Sequence, residues 1–551
     1  MNSTLLDELT ELVKGDVLTD DVTLTAFSHD TSLFEVRPQV VINPKDQQDV
    51  ENLVKFVSKH KKEHPDLSLT GRSAGTDMSG GPLNESIILG FQKHFSNLIS
   101  VKENVATVQP GMFYRDFEKE TLKYNLQFPS YPASREICAM GGIVNNNSGG
   151  EKSLEHGKTE KYVKKIKVVL SDGNTYILEP LNEKELEDKM AQKDFEGELY
   201  RKMYKLVTEN YDLLQKAKPT VSKNSAGYFL WNIYDKEKKI FDLTQVFVGA
   251  QGTLGMMLEA DIELLPVRKY AEMLIIFMHN FDHLAEIINT ALPLKPNSFE
   301  TYDDNTLKLA LKFFPEFAKK LGTTTMIDTG LKFMPEFLMM LRGGLPKLIL
   351  QVDFTGDDQE ELGKKIAALK EKLAPLHPMT RVAIGDDEKK YWLIRRESFA
   401  LLRQKIRNKH TAPFIDDFAV LPEYLPEFLP KLNKIFKKYR GLIYTVAGHV
   451  GDGNFHIIPL MTIEDKKQRA IIPELGKAVY DLVLQYPGST ITAEHNDGLI
   501  RTPYLQQMYG EKVIKLFEET KEIWDPHNIF NPRKKVHGSM DYAMSHIRTH
   551  W

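Results

Sequence analysis

Apolar side chains recur at helical spacing in the first residues, where Leu5, Leu6, Leu9, Leu12 and Val13 share one face behind Ser3, a candidate cap. PQVVINP then reads as a short buried strand. Val50, Leu53, Val54 and Val57 form the inner face of a helix starting near Asp46, and LSLT at 67–70 reads as a second strand, so a βαβ unit is expected. TQVFV at 244–248 is strand-like. From about residue 270 the pattern changes: AEMLIIFMH and LILQVDF read as strands, FDHLAEIINTAL and DQEELGKKIAALKEKLA as amphipathic helices. Together they predict an α+β layer, helices over a largely antiparallel sheet. YWLIRRESFALLRQKIR predicts a helix carrying Arg395, Arg396, Arg403 and Arg407, with Trp392 and Phe399 on its apolar side. Most of these arginines are expected in solvent, leaving one guanidinium to grip a carboxylate.

The longest apolar runs, such as MLIIFM at 273–278, fall well short of the ~20 residues that cross a bilayer. The acidic, amphipathic start is unlike a secretory signal, so a soluble or peripheral protein is expected. LKFFPEF at 311–317 is echoed by LKFMPEF at 331–337, without the length of a repeat array. The stretch 331–350 places Lys332, Arg342 and Lys347 against Glu336 among large apolar residues, as an interfacial membrane contact or a core helix would.

Length and composition narrow the classes. A chain of 551 residues predicts two or three domains of roughly 100–250 residues. The lone Cys138 excludes a disulfide scaffold and a multi-cysteine metal cluster within this chain. With 72 basic and 76 acidic residues the net charge is -4, so no global field draws in nucleic acid.

Three glycine-rich segments precede residue 270: GRSAGTDMSGG at 71–81, CAMGGIVNNNSGGEKSLEHGK at 138–158 and GAQGTLGMMLEADIELLP at 249–266. Each brings backbone close to something, and the first can present N–H groups to an anion, although a glycine-rich turn is also a plain surface loop. Neither GxGxxG at a first strand-to-helix turn nor GK[ST] occurs there, which removes the main support for nicotinamide and NTPase readings. In TVAGHVGDGNFHIIPL, 445–460, His449 and His456 flank a tight turn, and ITAEHNDGLIR, 491–501, supplies Glu494 and His495. Two imidazoles and a carboxylate suit a divalent ion with positions left open; the bland alternative is a satisfied structural pair. In an extended segment the Glu494 and His495 side chains would diverge, one to the ion and one beside it.

These segments, with PFIDDFAVLPEYLPEFL and DPHNIFNPRKKV, occur in an order that resembles the FAD-linked 2-hydroxy-acid dehydrogenases of the vanillyl-alcohol-oxidase (PCMH) type, over nearly the whole chain. That group contains D-lactate dehydrogenase, the glycolate oxidase flavoprotein subunit and D-2-hydroxyglutarate dehydrogenase. The resemblance implies an α+β fold: a PCMH-type FAD-binding domain of two subdomains at 1–270, an α+β cap carrying substrate and metal at 271–505, and a segment at 506–551 returning to the FAD domain. It implies non-covalent FAD, its pyrophosphate on Arg72, Ser73, Ala74, Gly75, Thr76 and Ser79. The rest of FAD would lie on Pro132, Ala133, Gly141, Gly142, Asn145, Gly252 and Gly255, with Asn531 reaching the ring.

It further implies His449, His456 and Glu494 as ligands of Zn²⁺, or of Mn²⁺ or Fe²⁺, with His495 as general base and Arg395 and Asn454 holding the substrate. The hydroxyl proton would go to His495 and the α-hydrogen to flavin N5, giving a 2-oxo acid. Electrons would leave to an external quinone, cytochrome or electron-transfer protein. A cytoplasmic protein is expected, with 331–350 as the candidate contact to the inner membrane face and a homodimer compatible with it.

Gln251 stands where the resemblance expects Glu, and Asn496 where it expects Gly. Phe414, Ile415 and Asp416 precede Asp417, where the dicarboxylate-oxidising branch has a lysine. That favours D-lactate, with glycolate or D-2-hydroxyglutarate as alternatives and a non-catalytic flavin electron-transfer subunit as the reading from another class. An alkyl-glycerone-phosphate synthase lacks support, because its run of histidines is missing.

Overall fold

The computed structural model describes residues 2–304, 306–308, 334, 344–405, 409–439 and 442–550. The 311–317 and 331–337 echo, apart from Met334, lies outside them, as do Lys332, Glu336, Arg342, Arg407 and the side chains of Phe399 and Arg403.

The first sheet runs Asp16–Leu18, Val40–Asn43, Ile87–Gly90, Leu69–Arg72, the last three mutually parallel. The helix Gln47–His60 crosses between Val40–Asn43 and Leu69–Arg72, burying Val50, Leu53, Val54 and Val57 as their spacing predicts. Asp46 caps it by accepting from the Asp49 amide. The helix Ser3–Leu12 is also as expected, but its cap is Asn2, whose side chain accepts from the Leu5 amide, and not Ser3.

The second sheet is five-stranded and antiparallel, Leu98–Lys102, Val105–Val108, Met256–Glu263, Val163–Val169, Thr175–Leu178. TQVFV belongs to a short helix, Thr244–Phe247, and not to a strand. The three apolar residues Val246, Phe247 and Val248 fit one buried helical turn as well as a strand, and here the packing into the core decides.

Beyond residue 270 an eight-stranded antiparallel sheet forms the expected α+β layer. The strand Tyr270–Met278 shows why MLIIFM is continuously apolar. Leu274, Ile276 and Met278 pack with the helices Leu284–Ala291 and Gln359–Leu373, while Met273, Ile275 and Phe277 pack under Tyr391, Trp392 and Ile394 of the helix Asp386–Lys405. Both faces are covered, so both sets of alternating side chains must be apolar.

The chain end returns to the first two sheets. Phe517 and Trp524 of the helix Leu505–Trp524 join the second core, and Phe530 bridges in parallel to Leu69. The tail after Lys535 is tied to the body: Ala543 and Ile547 are buried, and Ile547 bridges to Phe34. Among the described residues no helix is long and apolar enough to cross a membrane.

Candidate active site

One continuous cleft of about 640 Å³ runs between the first two sheets and the cap. Ser73, Ala74, Gly75, Thr76, Pro132, Ala133, Gly141, Gly142, Asn145, Gly252 and Gly255 line one part of it. Glu300, Arg395, Arg396, His449, His456, Glu494 and His495 line the other.

Four residues expected at the ligands are not among the lining. Arg72 turns under Gly75 and donates to the carbonyls of Phe27 (3.3 Å) and His29 (2.8 Å), so its guanidinium holds a loop and faces away from the cleft. Ser79 is buried against Asp77 and Gln251. Asn454 donates to Asp417 and the Phe418 carbonyl beneath the hairpin. Asn531 donates to the carbonyls of Gly81 and Gln251 and accepts from Thr70, fastening the returning chain to the glycine loops. A motif marks such residues as needed without saying whether they touch a ligand or hold the loop that does.

The strands Ile443–His449 and Asn454–Met461 form the expected hairpin, which delivers both imidazoles to one point. The Nε2 atoms of His449 and His456 lie 2.9 and 3.0 Å from Glu494 Oε1. Their Nδ1 atoms are committed behind, His449 to Glu300 Oε1 at 2.6 Å and His456 to the Asp416 carbonyl at 2.9 Å. Burial alone would depress the His449 pKa, but Glu300 and Glu494 outweigh it and raise it to about 9. Burial lowers that of His456. Burial also works against an ionised Glu494, yet Lys223 and His449 hold it well below the usual carboxylate range.

Glu494 and His495 do not sit in an extended segment. They lie in a bend ending at Asn496, φ 69°, so both side chains reach the cleft and do not diverge. Asp417 Oδ2 sets that bend, accepting from Thr492 Oγ1 (2.7 Å) and the amides of Glu494 (2.9 Å) and His495 (2.6 Å). One ligand atom from each of Asp417, His456, Glu494 and His495 also falls within 4.8 Å of the others. Because Asp417 Oδ2 already takes three donors, the centre through Glu494 Oε1, shared by the two imidazoles, is the better cation position.

His495 Nδ1 lies 2.7 Å from Asp416 Oδ2, and its ring stacks on His456 with centroids 5.1 Å apart. Against burial, Asp417 and Asp416 raise its pKa to about 9. Asp416 is itself fully buried; Arg501 and His495 overcome the burial and keep its pKa at about 2. Lys158 donates to the carbonyls of Asn224 and Ala493, both at 2.7 Å, and Lys223 to that of Gly150 at 3.0 Å, 3.3 Å from Asp452. Sequence reasoning gave no role to Glu300, Asp416, Asp417, Lys158 or Lys223. The available signal was acidic residues inside apolar strings, SFETY and FIDDF, since charges are rarely buried without partners.

Arg395 spends Nε on Glu300 Oε2 at 3.2 Å. Arg396 grips Glu151 with Nε (3.0 Å) and Nη2 and lies over Trp392, 4.8 Å from the ring centre. Both line the cleft, Arg395 where the substrate was expected and Arg396 although most of the helix arginines were expected in solvent. Gln251 donates to Ser79 at 3.2 Å, and Asn496, wholly buried, staples the carbonyls of Asn146 and Gly249 at 3.1 and 2.9 Å.

Residues 268–535 match the family of FAD linked oxidases, C-terminal domain, and residues 38–179 match the FAD binding domain family. The chain belongs to the FAD-linked oxidases. It is 27% identical to a D-2-hydroxyglutarate dehydrogenase of Pseudomonas putida over 95% of this chain and 50% of that protein, so it spans about half the length of that relative. It is 26% identical to the glycolate oxidase subunit GlcD of Bacillus subtilis (92% of this chain, 91% of that one). With a D-lactate dehydrogenase of Archaeoglobus fulgidus the identity is 23% (90% and 91%). In fold it matches 4-ethylphenol oxidase from Gulosibacter chungangensis, TM-score 0.68 at 16% identity over 98% of both chains. Alkyldihydroxyacetonephosphate synthase gives 0.66 at 16% over 97% of this chain and 85% of that one. The PCMH-type FAD-binding fold follows.

The cleft of this FAD-linked oxidase fits its cofactor. A Cβ added at Gly142 or Gly252 would meet nothing within 4 Å, although both line the cleft, and Gly252 sits at φ 69°, where glycine is favoured. Asn145 Oδ1 and Asn146 Oδ1 are buried without a protein partner. Cys138 also lines the cleft, and burial pushes its thiol up to about 12, so it packs as a neutral side chain. The imidazole cluster fits a cation as well. With Nδ1 donating to the Asp416 carbonyl, a neutral His456 turns its Nε2 lone pair onto Glu494 Oε1, a contact that a cation between them makes attractive.

Proposed function

We propose that the chain oxidises a D-2-hydroxy acid to the 2-oxo acid, with the domain division 1–270, 271–505 and 506–551 expected from its sequence. The observation that carries this is a single cleft holding both the glycine cradle and the His449, His456, Glu494 and His495 cluster. Arg395 offers the substrate carboxylate the two Nη groups it does not spend on Glu300. Asp416 fixes His495 by holding Nδ1–H, which leaves Nε2 to take the hydroxyl proton from the neutral form. A divalent ion on His449, His456 and Glu494, Zn²⁺ first and Mn²⁺ or Fe²⁺ next, would polarise that hydroxyl and favour neutral His495. FAD in the cleft would accept the α-hydrogen with its electron pair and pass electrons to an external quinone, cytochrome or protein.

The test is anaerobic mixing of the FAD-loaded protein with D-lactate, glycolate, D-2-hydroxyglutarate and the L-isomers. Bleaching of the flavin band by D-acids is expected; bleaching by L-acids alone overturns the reading. A strong chelator should abolish the bleaching and metal add-back restore it, whereas unchanged bleaching in protein freed of metal removes the cation from the proposal.

A further inference from the structure

The segment 493–499, which carries Glu494 and His495, is tied almost residue by residue to the three glycine-rich loops that build the cofactor cradle. Lys158 donates to the Ala493 carbonyl at 2.7 Å, and Asn146 Nδ2 to the Glu494 carbonyl at 2.8 Å. Asn496 Nδ2 reaches the carbonyls of Asn146 and Gly249 at 3.1 and 2.9 Å. The Gly498 amide donates to Gln251 Oε1 and the Leu499 amide to the Ser79 carbonyl, both at 2.8 Å. His449 and His456 come instead from the hairpin of the eight-stranded sheet. A cation on Glu494 and the two imidazoles would thus join the cradle to the cap.

Asn496 has the central place in this arrangement. Its side chain is wholly buried, Oδ1 accepts from the Asp497 amide at 2.7 Å, and Nδ2 joins the end of the helix Met140–Asn146 to Gly249. It sits at φ 69°, where glycine is favoured and where the sequence resemblance expects one. Asparagine tolerates that backbone, so what this chain adds is the amide and its two hydrogen bonds. Asn146 works from the other side. It lines the cleft, holds the Glu494 carbonyl with Nδ2, and keeps Oδ1 buried without a protein partner, as an acceptor for what fills the cleft. A ligand that orders the glycine loops therefore orders the main chain beneath Glu494 as well. The second ligand then meets a site already in place, and each raises the affinity of the other by the same factor.

We infer that FAD and the divalent cation bind cooperatively, and that Asn496 is the positioning residue that carries the coupling from the glycine loops to Glu494. This rests on the cofactor and cation of the proposed function and adds a linkage between them. It holds whichever 2-hydroxy acid is oxidised.

The experiment uses the whole FAD-loaded chain, dialysed against a chelator and divided, one half receiving Zn²⁺. FAD release on dilution is read from flavin fluorescence. Zn²⁺ should tighten FAD binding by about 5- to 100-fold in wild type. Asn496→Gly suits the φ of 69° and removes only the amide side chain. In that variant the ratio should fall to within about twofold of unity, while FAD affinity without Zn²⁺ stays within about threefold of wild type. FAD weakened by one factor with and without Zn²⁺ would make Asn496 a packing residue and overturn its role, and so would an unchanged ratio. A second measurement needs no variant: on adding Zn²⁺ to wild type, hydrogen exchange should slow at 141–146 and 249–252 as well as at 494–499. Slowing confined to the imidazole hairpin and 494–499 overturns the coupling. Zn²⁺ bound in equilibrium dialysis without any change in FAD affinity overturns it too, with the proposed oxidation left standing. Failure to bind Zn²⁺ at all brings down the coupling together with the cation of the proposed function.

Discussion

Asp416 lies wholly out of solvent yet ionised, because Arg501 takes one oxygen and His495 Nδ1 the other. A buried charge persists only where partners replace its lost hydration, so one aspartate links a structural arginine to the proposed base. His495 is partly exposed: its ring stacks on His456 and it lines the cleft, while Arg501 would still hold Asp416 in its absence. His495→Ala is therefore expected to keep FAD, read from the flavin spectrum, and to lose turnover by roughly 10² or more. Turnover at the wild-type level would assign proton removal to another group. Glu494 and His495 were legible in sequence as an acid and an imidazole between apolar residues and a glycine. Asp417, which accepts from both their amides, is 77 and 78 positions away and was legible only as an unusual acid in FIDDF.

At the scale of elements, the hairpin Ile443–His449 with Asn454–Met461 sets the spacing of the two imidazoles. Gly453 closes its turn at φ 63°, and a Cβ there would stand 1.8 Å from the Val420 carbonyl oxygen. Gly453→Ala thus combines left-handed backbone with a collision against main chain that cannot rotate away. The cost should be at least ~2 kcal/mol in chemical denaturation, together with weaker cation binding by equilibrium dialysis; a variant as stable as wild type would contradict the turn described here. The turn was readable from GHVGDGNFH because glycines between strand-like flanks have few alternatives. TQVFV was misread because so short an apolar run lacks a period, and the helix Thr244–Phe247 is selected by the second core.

For the molecule as a whole, the Glu151 to Arg396 bridge joins the glycine-loop side to the cap across the cleft. Burial pushes Glu151 up, but Arg396 outweighs it and its pKa falls from 4.5 to about 2. A folded-state pKa below the unfolded one means stability present above about pH 4.5 and lost as pH falls toward 2, worth roughly 3 kcal/mol at most. Wild type should melt higher than Glu151→Gln at pH 7, and the gap should shrink on acidification from pH 5 to 3; a gap that does not change with pH would show that the bridge is not the source.

Which segments go inside, where the backbone must turn on glycine, and the change from a βαβ start to an antiparallel layer were all written in local patterns. Hydrophobic period and glycine need no distant partner to act. The pairing of buried charges was not local: Glu300 with His449, Glu151 with Arg396 and Asp416 with Arg501 join residues 149, 245 and 85 positions apart. Removing a charge from water is unfavourable until a specific opposite charge arrives, and the fold alone determines which one does. That is why Arg72, Ser79, Asn454 and Asn531 hold the loops around the cleft, while Arg396, on a helix whose arginines were mostly expected in solvent, lines it.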